Sequence, residues 1–321
     1  MINKIALVCG DPYSVNSEII YKLWCKLDSK TKKKIYLIGN FDLICSQLKK
    51  LKKKVVVSKV NNINDDIDTS KFKIINLPLN FTKPFNVSLK NSSKYVVQCL
   101  NLAHELAINK KVKGIINCPI NKKLIKSSNK VGVTEFLASK CNIKDKSEVM
   151  LIFNKKLSVA PLTTHMNIKN VSNAINKNLI IKRINTIDKF YKKNLRKRAK
   201  IGILGLNPHN GELQKNSEEV KKIIPAIKKL NQKGFKINGP LVADTVFIDN
   251  YKKFNVLVGM YHDQVLAPFK TLFHFDAINI TLGLKYLRVS PDHGPATDLI
   301  GKNKANFFSL LQCVKFINNL K

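Results

Sequence analysis

A chain of 321 residues with 44% hydrophobic side chains is long enough for two α/β domains of ordinary size, and no apolar run approaches the roughly 18 residues of a membrane-spanning helix. The apolar stretch Ile5–Cys9 is also too short for a signal-peptide core, so the expectation is a soluble, cytoplasmic protein without a membrane partner. The formal net charge of +36 does not argue for nucleic acid: the only arginines are Arg183, Arg196, Arg198 and Arg288, and the lysines recur along the whole chain with asparagine and isoleucine, a pattern of solvated faces with a weak pull on anionic substrates.

In chain order the pattern alternates strand and helix. Lys4 to Gly10 reads as a strand, Asn16 to Leu27 as a helix and Lys34 to Gly39 as a second strand. Short strands follow at Lys54 to Val57 and Ile74 to Asn76, with an acidic turn region around Asp65, Asp66 and Asp68 between them. Ser93 to Asn109 has apolar residues at helical spacing and precedes a strand at Gly114 to Asn117. Strands are expected at Val149 to Phe153 and Ser158 to Leu162, then a long basic helix from Asn176 to Asn194, then strands at Lys200 to Leu204, Asn255 to Met260 and Ala277 to Leu282. A turn-rich stretch at Ser290 to Pro295 leads into a closing helix over Ala305 to Asn319. This is the α/β signature, and without a linker any domain division must be made by strands that leave one domain and return to it.

Three histidines stand out against that framework. His165, His209 and His262 each follow an apolar run at its exit into turn-prone sequence, and in α/β sheets functional groups gather at the carboxyl ends of strands. Three imidazoles from three strand ends make the ligand set of a divalent metal with positions open to substrate; taken one at a time, each also reads as a satisfied hydrogen-bonding residue. The seven cysteines are scattered singly, with no Cys-x-x-Cys pair, which fits small core residues in a reducing compartment. Neither the turn after the first strand, Gly10 to Glu18, nor Gly202 to Gly205 has the three glycines of a dinucleotide fingerprint, so a nicotinamide cofactor would not sit in the usual crevice.

The blocks Gly10-Asp11-Pro12, Asn117-Cys118-Pro119-Ile120-Asn121-Lys122, Thr163-Thr164-His165, Gly205 to Glu212, Gly239 to Thr245, Met260-Tyr261-His262-Asp263-Gln264, Asn279 to Arg288 and Asp292-His293-Gly294 together resemble the 4-hydroxythreonine-4-phosphate dehydrogenase family, in order and over nearly the whole chain. The resemblance implies an NAD- or NADP-dependent oxidation of 4-phosphohydroxy-L-threonine at C3, followed by decarboxylation to 3-amino-2-oxopropyl phosphate, in pyridoxal phosphate biosynthesis. It implies a two-domain fold like that of isocitrate and isopropylmalate dehydrogenases, with the active site in the interdomain cleft. The expected outer domain is 1–130 plus 283–321, and the expected central domain, 131–282, carries the metal ligands and the dimer contacts. It further implies a homodimer whose active site draws on both subunits, a divalent metal (zinc, cobalt or magnesium) on His165, His209 and His262, and substrate contacts at Thr134, Lys270, Asn279 and Arg288. Lys270 and Arg288 suit a substrate with phosphate and carboxylate, the alternative for each being a solvated surface charge. Asp244 and Asp263 are candidates either for the proton acceptor or for partners that orient the histidines. His104, His274 and His293 are expected to be structural or turn residues.

The chain departs from the family where Gly132-Val133-Thr134-Glu135 replaces Gly-His-Thr-Glu, and again in Tyr13 to Ser17. Loss of one charge-assisted hydrogen bond to a phosphate costs about 1.5 to 3 kcal/mol. The same chemistry on another phosphorylated hydroxy acid, such as a four-carbon sugar-acid phosphate, is the alternative that this substitution raises.

Overall fold

The computed structural model describes residues 3–65, 68–125, 132–143 and 147–320. Asp66 of the acidic turn and the expected boundary at 130–131 lie outside them. The chain divides into two compact units, Met1–Cys141 with Leu284–Leu320, and Asn142–Gly283. The division after Cys141 puts Thr134 in the first unit, where the sequence reading had it in the second.

The first unit begins with β1 (Ile5–Val8), α1 (Asn16–Lys26), α2 (Ser29–Lys34), β2 (Ile35–Gly39), α3 (Phe41–Lys50), β3 (Val57–Val60), β4 (Phe72–Asn76), α4 (Leu89–Ile108), β5 (Gly114–Asn117) and α5 (Val133–Lys140). The second unit holds β6 (Val149–Phe153), β7 (Ser158–Pro161), α6 (Val171–Ala174), α7 (Lys177–Asn194), β8 (Ile201–Leu204), α8 (Ile224–Gln232), β9 (Ile237–Leu241), α9 (Ala243–Val246), β10 (Val256–Gly259), α10 (His262–Phe273) and β11 (Ile278–Leu282). The chain then returns to the first unit with β12 (Arg288–Pro291) and α11 (Phe308–Asn319).

In the first unit the strand order is β3-β4-β2-β1-β5-β12, with parallel pairing throughout. Every residue of β1 and β2 is buried, because helices cover both faces and the strands read as continuous apolar runs. α4 starts at Leu89 rather than at Ser93 because the Ser88 hydroxyl accepts from the Asn91 N–H at 3.3 Å and caps it. Its face Val96, Cys99, Leu100 and Ala103 packs with Ala6, Val8, Ile38 and Ile115. Burying each large side chain there contributes about 1.5 to 3 kcal/mol. The strand expected at Lys54 to Val57 is displaced to β3, set by its ladder of Val57 with Phe72 through Val60 with Ile75.

The second unit orders its strands β11-β6-β7-β10-β8-β9. β6 runs antiparallel to both β11 and β7, whereas β7, β10, β8 and β9 are mutually parallel. The carboxyl ends of four adjacent strands therefore share one edge. α7 is the expected basic helix: Asn176 caps it by accepting from the Leu179 N–H at 2.9 Å, and Ile180, Ile184, Ile187 and Tyr191 form its buried stripe. Among the described residues no helix is long and apolar enough to cross a membrane.

Candidate active site

The four parallel strand ends of the second unit are stitched together one after another. Leaving β7, Leu162 N–H donates to the Gly259 carbonyl at 2.8 Å, and the buried Thr163 hydroxyl donates to the Met260 carbonyl at 2.7 Å. At the exit of β10, Met260 N–H donates to Gln264 Oε1, and Gln264 Nε2 donates to the Gly205 carbonyl beyond β8, both at 2.7 Å. Gly205 N–H in turn donates to the Leu241 carbonyl of β9 at 3.0 Å. Each of these ends delivers one candidate residue: His165 after β7, His262 at the first position of α10, His209 after β8 and Asp244 in the first turn of α9.

The rings of His165 and His262 stand 5.8 Å apart between centroids. His262 Nδ1–H donates to Asp263 Oδ1 at 2.7 Å, which orients the ring and leaves the Nε2 lone pair for another partner. Asp263 is exposed beside that ring, and Asp244 is exposed on its four-residue helix. His209 is exposed in a turn in which five consecutive residues, His209 to Leu213, have positive φ. Left-handed backbone costs non-glycine residues about 1 to 2 kcal/mol each, so such a run must be held by its surroundings.

The structure thus brings His165 and His262 together and sets His209 on the same sheet edge. Among the described residues no three His, Cys, Asp or Glu side chains form one group able to hold a metal ion. The donor chemistry, three imidazoles on loops from neighbouring strands with one ring already oriented by a carboxylate, suits a borderline divalent cation such as zinc or cobalt better than magnesium, which prefers oxygen.

Lys270 lies on α10 two turns after His262 and is exposed, while Asn279 is half-buried on β11 opposite Ile152. The Asn279 side-chain oxygen is buried and has no hydrogen-bond partner among the described residues, a condition costing about 1 to 3 kcal/mol.

Thr134 and Arg288 belong to the first unit. Thr134 is the second residue of α5, and Val133 beside it packs against the apolar core rather than offering a polar contact. Arg288 opens β12 and is only 3% exposed, so the solvated-charge alternative does not apply to it. Its Nε–H donates to Asn117 Oδ1 at 2.7 Å. Burial lowers the guanidinium pKa to about 10, and the nearby Glu135 and Tyr286 act in the opposite direction. Asn117 and Gln264 were inside recognised sequence blocks but had no role; their partners are distant in sequence and only the fold reveals them.

The loop after β1 is not built as a phosphate cradle. Asp11, buried and with its pKa raised by that burial, accepts from the N–H groups of Tyr13 at 2.8 Å and Asn121 at 3.2 Å, occupying donors that a pyrophosphate would need. Gly10, at φ +79°, packs so tightly that a Cβ would lie 2.7 Å from the Pro119 carbonyl. Of the remaining histidines, His104 Nδ1 contacts the Tyr286 hydroxyl at 2.9 Å, His293 Nδ1 contacts the Gly294 carbonyl at 2.9 Å, and His274 ends α10.

The comparisons with known proteins bear on family and fold. The family model described as pyridoxal phosphate biosynthetic protein PdxA matches residues 30–317. A 4-hydroxythreonine-4-phosphate dehydrogenase from Sulfurihydrogenibium sp. is 37% identical over 99% of this chain and 98% of its own length. The crystal structure of 4-hydroxythreonine-4-phosphate dehydrogenase from Klebsiella pneumoniae superposes with a TM-score of 0.85 at 27% identity, covering 99% of this chain and 97% of that one. Isocitrate dehydrogenase from Methylococcus capsulatus, at 10% identity and a TM-score of 0.52 over 98% of this chain and 85% of that one, shares the fold alone. The chain belongs to the PdxA family of pyridoxal phosphate biosynthetic proteins.

Proposed function

We propose that this protein is a cytoplasmic, homodimeric dehydrogenase that oxidises the C3 hydroxyl of 4-phosphohydroxy-L-threonine with NAD or NADP and releases the carboxylate as carbon dioxide, leaving 3-amino-2-oxopropyl phosphate. The observation that carries the reading is the delivery of His165, His262 and His209 by three adjacent parallel strand ends. These imidazoles would hold a divalent cation, which when bound supplies charge stabilisation to the substrate oxygen, and the nicotinamide supplies the hydride acceptor.

The chain's own residues account for the rest. Asp263 fixes the His262 ring through its Nδ1–H. Asp244, in the first turn of α9, would accept the hydroxyl proton as hydride leaves carbon. Lys270 and Arg288 supply cationic charge for phosphate and carboxylate, with the buried guanidinium able to bind two oxygens at once. Thr134 and Asn279 offer a hydroxyl and an amide whose oxygen has no partner among the described residues.

The test is reduction of NAD and of NADP by purified protein given 4-phosphohydroxy-L-threonine, with added zinc or cobalt and again after chelation. Turnover abolished by the chelator and restored by metal is the expected result. A folded, metal-loaded dimer that reduces neither cofactor with this substrate would overturn the reading.

A further inference from the structure

The turn that carries His209 is held by a buried carboxylate from another segment. Glu219 is 0% exposed and opens a short π-helical stretch, Glu219–Ile223, just ahead of α8. Its Oε1 accepts from the backbone N–H groups of Leu206 at 2.7 Å and Asn207 at 2.9 Å, and its Oε2 accepts from Asn207 Nδ2 at 3.0 Å. The same Asn207 amide donates to Glu218 Oε2 at 2.9 Å, and Glu218 accepts from the Ser172 hydroxyl on α6.

Two glycines leave the room this arrangement needs. A Cβ on Gly205 would lie 3.1 Å from Glu219 Oε1, and one on Gly211 would lie 3.3 Å from Glu219 Oε2. A carboxylate is costly to bury, and π-helical irregularities gather at functional sites. Here the bonds set the direction in which Leu206 and Asn207 leave β8, and with it the start of the left-handed run that displays His209 two residues later. Gln264 ties the same exit, through the Gly205 carbonyl, to the exit that carries His262.

We infer that Glu219 is a positioning residue for His209, acting through Asn207 to fix the turn that presents that imidazole beside the strand ends carrying His165 and His262. The inference rests on the proposed metal role of the three histidines. Glu219 touches neither substrate nor cofactor; it acts through the turn.

Cobalt(II) alone, titrated into the full-length protein and followed by its visible absorption, tests this without turnover. Glu219→Gln keeps the shape of the side chain but sets an NH2 against the Asn207 amide, donor facing donor. It should weaken cobalt binding about 10- to 100-fold and alter the cobalt spectrum, with kcat reduced and the far-ultraviolet circular dichroism unchanged. Asn207→Ala, at a half-buried residue, should shift the spectrum in the same direction if the first variant folds poorly. Glu18→Gln is the control: Glu18 is equally buried, in α1 of the first unit, where it accepts from Lys22 and the Ala305 N–H, so its loss should cost stability and leave cobalt affinity intact. Wild-type affinity and spectrum in both Glu219→Gln and Asn207→Ala would overturn the inference, as would equal weakening by Glu18→Gln. Failure of the wild-type protein to bind cobalt would instead remove the histidine reading beneath it.

Discussion

The two units spend their chemistry differently. All seven cysteines fall in the first unit, five of them buried, within a wholly parallel sheet covered on both faces. The second unit has no cysteine, holds four of the six histidines, and sets three of them in exposed or half-buried positions beyond adjacent strand ends. One unit uses soft side chains as filling; the other exposes imidazoles at strand ends. The contrast lies in exposure and not in position along a strand: Cys9 and Cys118 directly follow β1 and β5 and are buried, whereas His165 and His209 follow β7 and β8 and stand exposed.

The sharpest way to break that contrast is to cut one residue from each side of it. His262→Ala should reduce metal binding and turnover by more than the 10- to 100-fold typical of a residue that only orients a ligand, while shifting stability by no more than about 1 kcal/mol, as measured by cobalt titration and urea unfolding. Leu100→Ala, in the first unit's core, should do the opposite: a loss of about 2 to 5 kcal/mol of stability with cobalt affinity preserved. Equal effects of both substitutions on both measurements would erase the distinction.

Arg288 sharpens the comparison from the other direction, since it is a buried residue of the first unit with a proposed binding role. Arg288→Met should raise KM for the phosphorylated substrate about 10-fold or more, matching the loss of about 1.5 to 3 kcal/mol of charge-assisted contact. An unchanged KM with lowered stability would make Arg288 a structural partner of Asn117 alone.

The smallest effect concerns the thiols. Burial pushes Cys9 up to about 12 from its ordinary 9.0, and holds Cys99, Cys118 and Cys313 well above that ordinary value. A thiol whose pKa is raised on folding contributes stability that is whole below its unfolded value and is lost as pH climbs from 9.0 toward 12. The unfolding midpoint should therefore fall across that alkaline window. At pH 8 a thiol reagent should modify exposed Cys25 in the native protein and reach Cys9 only on unfolding; rapid native labelling of Cys9 would contradict the burial.

Much of this was legible in the sequence where chemistry changes abruptly. β1, β2, β5, β8 and β10 are mainly apolar runs that give way to turn-prone sequence, and the three histidines were found because they follow such runs at β7, β8 and β10. α7 was legible as a long basic stretch in which Ile180, Ile184, Ile187 and Tyr191 keep helical spacing. α10 was hidden by its polar opening, His262-Asp263-Gln264, and by Pro268 inside it. β9 was hidden by Gly239 and Pro240, which read as a turn; proline is tolerated there because β9 ends the strand order and one side of it needs no ladder. The partners Asn117, Gln264 and Glu219 were not legible, since a residue's hydrogen bonds to distant loops leave no local period or composition.

The return of the chain to its first unit bears on how the molecule is made. The second unit's own boundary strands pair with each other, Val149 opposite Leu282, so a nascent chain has everything that sheet requires once residue 282 has left the ribosome. The first unit at that moment still lacks β12, which lies beside β5, and α11, which packs on α1 and β12. Synthesis proceeds from the amino end, so the part made first is completed last, and the β5 edge waits unpaired while about 170 residues are added. That interval is when a chaperone, or another nascent chain, has its opening.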